Sequence, residues 1–289
     1  MKKFMISALA ASMMAAGGIA NSVHANDFDM DAFNVEEFAE EFRQYHYNMY
    51  PDVDPADMNL GVYALNEDAR AQYEQQMFFP PQDDYIEEGA EIWAEYRFSD
   101  GQPLSACLGE PEGLRAKYPF YDEELGEVRV LEHDIVRCEK AHNDNDDDML
   151  NNTERAMVMA YLASESRGEL INVQVDSDGA KEAFVSGMSN YFRKTGQLDN
   201  SCADCHTYHG GDFIRAEHLH LGVGNTAHFP THRISGGGRI VTLQQRISGC
   251  IRDTGVIQPP RNTEEARDLE FFLSYIDNGQ EINGPGLRK

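Results

Sequence analysis

Cys202-Ala203-Asp204-Cys205-His206 is the stretch on which the reading of this 289-residue chain turns. C-x-x-C-H is the attachment signature of c-type haem: two thiols bond the porphyrin vinyl groups and the histidine ligates the iron. C-x-x-C also serves zinc ribbons and dithiol redox centres, but a ribbon needs a second C-x-x-C and the chain has none. The amino terminus favours haem. Met1–Ala25 opens on Lys2 and Lys3, runs through an apolar stretch from Phe4 to Ala20, and ends in Val23-His24-Ala25. That is the pattern of a cleaved export leader, too short and too interrupted by Gly and Ser to span a membrane comfortably. Localisation in a bacterial periplasm, where c-type haem is attached, is the expectation.

Working outward, a second iron ligand must come from the far side of the ring. No methionine occurs between Cys202 and Lys289. The candidates are Cys250 and the histidines His209, His218, His220, His228 and His232, of which His209 is too near His206 to reach round easily. Of five cysteines, two go to haem, leaving Cys107, Cys138 and Cys250. In an oxidising compartment the simplest pairing joins Cys107 to Cys138, both upstream of the haem motif, and leaves Cys250 as the odd thiol. A thiolate on ferric haem would bind strongly and hold the potential low. Arg246 stands four residues before Cys250, on the same face if the segment is helical. From His206 to Arg252 there are five arginines and only Asp212 and Glu217 as acids. Arg215, Arg233 and Arg239 are therefore candidates for haem propionate or anion contacts beside Arg246.

The remaining charge runs the other way. The chain carries 50 acidic and 24 basic side chains, net −26, and loss of the leader removes Lys2 and Lys3 as well. Such a surface argues against nucleic acid or an anionic membrane as partner. Val35, Phe38, Phe42 and Tyr45 fall at helical spacing within an acidic segment and read as a packing face. Asp144 to Asp148 invites a calcium-loop reading, but its sixth position is Met149 and its twelfth Arg155, so it reads as a solvated acidic loop.

The chain also resembles itself. Residues 152–172 open Asn-Thr-Glu, continue with helix-spaced apolar residues, stop at Gly168 and end Ile-Asn; residues 262–283 do the same around Gly279. Upstream, Ile86-x-x-Gly89-x-x-Ile92-Trp93 matches Phe184-x-x-Gly187-x-x-x-Tyr191-Phe192, with each glycine placed where two helices cross closely. The expected fold is mainly α: two cytochrome c-like domains related by internal duplication, the first without haem because it has no C-x-x-C-H. The expected boundaries are a leader at 1–25, an acidic extension at 26–80, the haem-less domain at 81–175 and the haem domain at 176–289.

Taken together, Phe184-x-x-Gly187 through Tyr191-Phe192-Arg193-Lys194-Thr195-Gly196-Gln197-Leu198, Cys202-x-x-Cys205-His206, Phe229-Pro230-Thr231-His232-Arg233, Arg246-x-x-x-Cys250 and Pro285-Gly286-Leu287-Arg288 resemble the SoxA family of bacterial sulfur-oxidising systems. Upstream, Phe79-Pro80-Pro81, Ser105-Ala106-Cys107-Leu108-Gly109 and Ser166-Arg167-Gly168 extend the resemblance over nearly the whole exported chain. The resemblance implies one haem c, held by Cys202, Cys205 and His206 with Cys250 as distal ligand, commonly a persulfide in this family. It implies a heterodimer with a small monohaem cytochrome of SoxX type, and oxidative joining of thiosulfate to a cysteine on a SoxYZ-type carrier. Cys250 would be the sulfur reaction centre and Arg246 the holder of the thiosulfate oxyanion, in a monohaem branch where a disulfide stands in place of the first haem. This sequence departs from the family in having Gln245 where a second arginine often precedes the ligand, and in Gly236-Gly237-Gly238. Two other functions compete: a non-catalytic electron-transfer cytochrome, and a thiosulfate dehydrogenase forming tetrathionate, which normally needs a second haem in the same chain.

Overall fold

The protein is described here from a computed structural model covering residues 29–214, 217–235 and 237–288, so the leader Met1–Ala25 and Arg215 lie outside the described residues. The helices among them are α1 (Val35–Met49), α2 (Val62–Leu65), α3 (Glu67–Gln76), α4 (Asp83–Glu95), α5 (Leu104–Leu108), α6 (Leu131–His142), α7 (Asn152–Ser164), α8 (Asp178–Phe192), α9 (Leu243–Asp253) and α10 (Glu264–Ile276). Short strands punctuate them: β1 (Phe120–Asp122) with β2 (Glu127–Arg129), β3 (Phe213–Ile214) with β4 (Glu217–His218), and a sheet of β5 (Thr231–Arg233), β6 (Arg239–Val241) and β7 (Gly286–Arg288). In the last, β5 lies between an antiparallel β6 and a parallel β7. The chain is mainly α, as the sequence predicts.

Two helix crossings organise the molecule. α4 crosses α7, where a methyl group added to Gly89 would overlap the Met157 carbonyl and press on the Tyr161 side chain. α8 crosses α10, where a methyl group on Gly187 would overlap the Asp268 carbonyl and press on Phe272. Neither site has room for a Cβ, which explains both glycines better than helix propensity, where glycine costs about 1 kcal/mol against alanine. The polar starts of the helices are satisfied locally. α7 begins in a capping box between Asn151 and Glu154, α8 is capped by Ser177, and α10 by Thr263. Here the structure corrects the sequence match. The shared Asn-Thr-Glu runs at 152 and 262 do not cap in register: the cap is Asn151 in the first and Thr263 in the second, because a cap needs its N3 partner at fixed spacing, not a shared tripeptide.

After these helices, the two matching tails pair with each other. Gly168 N–H donates to the Ile282 carbonyl (3.0 Å) and Gly279 N–H to the Ile171 carbonyl (2.9 Å). Ile171 N–H donates to Gln280 (2.9 Å) and Ile282 N–H to Glu169 (2.8 Å), with Leu170 facing Glu281. Every bond in one direction has its counterpart in the other, the signature of a local two-fold relation. Gly168 and Gly279 both hold φ near +87°, at +87° and +86°, where a side chain would be strained.

The apolar residues divide accordingly. One cluster, with Trp93, Phe98, Leu104, Leu131, Ile135, Val158 and Leu162, is built from α4 to α7. It is stapled by a Cys107–Cys138 disulfide between α5 and α6, with Cα atoms 6.0 Å apart, as the cysteine count predicts. The larger cluster is centred on α8 and α10, where Phe184, Phe271, Phe272 and Tyr191 are almost fully buried. α1 belongs to this second core and not to a separate extension. Phe38 packs edge-on to Phe184 at 6.2 Å, and Phe42 does the same to Tyr191 at 5.7 Å. Burying an aromatic ring of this kind stabilises by about 2–3 kcal/mol. No helix among the described residues is long and apolar enough to cross a membrane.

Candidate haem site and its distal thiol

The C-x-x-C-H sits in one wide turn, Asp204–Tyr208, of the π-helical type that recurs at functional positions. Ser201 and Asp204 fix its start reciprocally: the Asp204 carboxylate accepts from the Ser201 N–H (2.8 Å) and hydroxyl (2.9 Å), and the Asp204 N–H donates to the Ser201 hydroxyl (3.0 Å). Thr207 ties the turn to α8 through a 2.9 Å hydrogen bond between its hydroxyl and that of buried Tyr191. His206 Nδ1 lies 2.9 Å from the His220 carbonyl and donates to it. That bond fixes the tautomer and ring direction, leaving Nε2 with its lone pair for a metal. Burial lowers the His206 pKa, so the ring is neutral and ligand-competent.

Cys202, Cys205 and Cys250 are all free thiols and all half-buried. Burial pushes Cys202 up to about 12, and the nearness of Cys250 and then Cys205 raises it further. Cys205 is raised by the same causes, burial first and Cys250 next, and is opposed by the Arg246 charge. Arg246 also bears on His206. The five residues that carry the sequence prediction, Cys202, Cys205, His206, Arg246 and Cys250, are thus brought into one neighbourhood from two elements far apart in the chain. Two thiols for vinyl attachment, an oriented neutral imidazole and a third thiol form a donor set that suits a c-type haem, and open space lies beside Gly249 next to Cys250.

The histidine alternatives are otherwise engaged. His209 is exposed and faces Asp212, and His218 stacks on Phe213 at 4.5 Å with its Nε2 on the Gly211 carbonyl. His220 and His228 stack on each other at 5.3 Å, behind His206, and His232 packs beside Tyr85. Burial, with the Arg288 charge second, drives His220 down to about 3. His46 of α1 is buried behind the same turn and held near 4 by burial. Of the other predicted arginines, Arg233 and Arg239 face each other across β5 and β6, with Arg288 opposite Arg233 on β7.

Cys250 and Arg246 both ride on α9, whose first turn is fixed by residues the sequence reading did not single out. Thr242 and Gln245 form a capping box there, a Thr-x-x-Gln pattern that was legible. Glu132 of α6 accepts from the Thr242 hydroxyl at 2.5 Å, and Gln244 reaches Glu270 at 2.8 Å. No local signal marks Glu132 or Glu270, since each meets its partner only through the fold. Asp277, also unpredicted, accepts from the Gly224 and Thr226 N–H groups and so shapes the loop before β5.

Residues 88–171 match the family model described as SoxA/TsdA, cytochrome c domain. That stretch contains the disulfide and no C-x-x-C-H. The chain is 37% identical over 260 residues to the L-cysteine S-thiosulfotransferase subunit SoxA of Chlorobaculum thiosulfatiphilum, covering 88% of each chain. It is 38% identical over 248 residues to the same subunit of Chlorobaculum tepidum, covering 86% of each, and 34% identical to that of Allochromatium vinosum, covering 89% of this chain and 92% of the relative. Among solved structures it resembles the crystal structure of SoxXA from P. pantotrophus, with a TM-score of 0.67 and 27% identity, over 76% of this chain and 84% of that one.

Proposed function

The chain belongs to the SoxA family, and on that premise we propose that it is the catalytic cytochrome subunit of a periplasmic L-cysteine S-thiosulfotransferase. It would pair with a SoxX-type monohaem cytochrome and act on thiosulfate and the cysteine of a SoxYZ-type carrier. The net step is carrier–SH + S2O3(2−) → carrier–S–S–SO3(−) + H+ + 2 e−. A sulfur–sulfur bond forms, the thiol loses its proton, and the two sulfurs joined are oxidised. One haem c, attached through Cys202 and Cys205 with His206 and Cys250 as axial ligands, would supply the acceptor through which both electrons leave for the partner cytochrome.

The residues of the chain have separable tasks. Arg246 offers a guanidinium fork whose geometry matches the sulfonate end of thiosulfate, one helical turn from the Cys250 sulfur. Cys250 presents the sulfur at which the new bond is made, carrying an added sulfane sulfur as in its relatives. His206 is held by the His220 carbonyl in the tautomer that binds iron. The carrying observation is the convergence of Cys250 and Arg246 on the Cys202–His206 turn. We infer further that the two helical units descend from one by duplication, the first without haem. The reciprocal pairing of the 168–171 and 279–282 tails and the two glycine crossings support this.

The test is mass spectrometry of the Cys250 peptide together with spectra of a Cys250→Ala holoprotein. The native peptide is expected to carry extra sulfur, and the low-spin thiolate signature to vanish on substitution. An unchanged ligand field in the variant would contradict the assignment and point to a histidine.

A further inference from the structure

We propose that Glu132, in the unit without the haem motif, is a positioning residue that sets Cys250 and Arg246 by clamping the first turn of α9. Thr242, Arg246 and Cys250 stand at i, i+4 and i+8 on α9 and so share one helical stripe. Whatever fixes Thr242 therefore fixes the rotation of the stripe that carries both reactive side chains. Glu132 does this from α6. It is 2% exposed, and its carboxylate accepts from the Thr242 hydroxyl at 2.5 Å and from Arg261 at 3.1 Å.

The hydroxyl of Thr242 has one proton and two lone pairs. Donating the proton to Glu132 leaves a lone pair for the Gln245 N–H that closes the helix cap, at 3.2 Å. The two bonds reinforce each other, because an oxygen whose proton is drawn toward a carboxylate becomes the better acceptor. The carboxylate also lies at the positive end of α9, where an anion is favoured. A second tie runs in parallel. Arg261 bonds the Asn152 side chain at the start of α7, and Gln245 reaches the Asn152 carbonyl at 3.4 Å. The unit that holds the disulfide thus grips the helix that bears the reactive thiol.

The inference rests on the reading of Cys250 as iron ligand, and imidazole as a competing ligand separates the two. Imidazole takes the coordination position that Cys250 holds, so its half-saturating concentration reports how firmly the sulfur is presented. In ferric holoprotein, Glu132→Ala is expected to lower that concentration about tenfold, the size of one lost hydrogen bond to a charged group. Glu132→Gln keeps an acceptor for Thr242 but loses the charge facing Arg261, and should fall between Glu132→Ala and wild type. Thr242→Ser should restore wild-type titration, since it keeps the hydroxyl. Leu162→Ala, a cavity in the first unit's core remote from Thr242, controls for general loosening.

A wild-type midpoint in Glu132→Gln and in any foldable Glu132→Ala would overturn the clamp. An equal shift in Leu162→Ala would do so as well. Cys250→Ala decides the underlying reading: if it titrates like wild type, Cys250 is no ligand and the inference falls with it. If it binds imidazole far more readily while the Glu132 variants do not, only the clamp fails.

Discussion

The α4/α7 and α8/α10 crossings are framed alike and closed differently. Each turns on a glycine with no space for a Cβ and ends in a left-handed glycine and a tail that pairs with the other unit's tail. In the first unit two cysteines meet and bond, and a dozen buried residues close over a small core. In the second, three cysteines stay reduced around an oriented histidine, and extra apolar mass arrives from α1, far away in sequence. One frame therefore serves as a covalently closed strut, and the other as an open socket whose thiols are kept available. The clamp from Glu132 to Thr242 shows what the strut is for: it gives the socket's mobile wall something rigid to lean on.

Breaking the strut should have the largest effect. The disulfide closes a loop with a sequence separation of 31, for which the chain-entropy estimate is about 3–4 kcal/mol. A Cys107→Ser/Cys138→Ser double variant should lose about that much in urea unfolding of the purified protein. A loss confined below about 1 kcal/mol would show that the first unit holds its shape without the staple. Next come the crossings. Gly89→Ala and Gly187→Ala each push a methyl into a helix backbone carbonyl, an overpacking that costs about 1–3 kcal/mol. Because α8/α10 borders the thiol socket, only Gly187→Ala should also disturb the absorption spectrum of the haem-loaded protein. Equal spectral effects would mean that the two crossings bear on the socket alike.

Much of this contrast was legible before any coordinates. C-x-x-C-H, the lone Cys250 with Arg246 one turn away, the paired Cys107 and Cys138, and both crossing glycines are local or countable signals. Each depends on residue type at short spacing, which a sequence displays directly. What stayed hidden depends on distance across the fold. Phe42 reads as an ordinary packing face, and nothing in its neighbourhood says that the face lies on Tyr191. Glu132 is one acid among fifty, distinguished only by being buried against Thr242 and Arg261. Arg246 stood out from the other basic residues because of its i+4 relation to Cys250, whereas Arg233 and Arg239 are drawn into a sheet register that spacing does not reveal.

The buried carboxylates sharpen the comparison by pH. Glu270 of the second unit is pushed from 4.5 up to about 7, by burial above all, while Gln244 and Arg115 pull it down and Glu132 adds to the rise. The folded state therefore keeps a proton that the unfolded chain gives up near pH 4.5. The stability this provides is complete below about pH 4.5 and is lost progressively as the pH rises to about 7. Glu270→Gln imitates the protonated form, so it should raise stability at pH 8 and leave it nearly unchanged at pH 4. Urea unfolding at the two pH values measures this. A variant that keeps the wild-type slope would assign the pH dependence to other groups.

The smallest effects concern how each unit starts its second helix, where the matching tripeptides mislead. Asn151 accepts from the N–H groups of Thr153 and Glu154 while Glu154 reaches back to the Asn151 N–H, so α7 begins with a reciprocal pair. Thr263 accepts from Ala266 alone, at 3.3 Å, and α10 has no returning side chain in its box. Loss of a cap costs about 1 kcal/mol. Asn151→Ala strips the first helix of its cap and leaves Glu154 with less to order it, so it should cost more than Thr263→Ala, whose bond is longer and unsupported. Asn262→Ala removes the residue that the tripeptide match equates with a cap. Asn262 holds φ at +58°, where asparagine is tolerated better than alanine, so its loss should register as backbone strain. Thermal unfolding of the three variants distinguishes these sources. If Thr263→Ala proves the costliest, the two starts are energetically alike after all, and the asymmetry between the units lies only in how their cysteines are used.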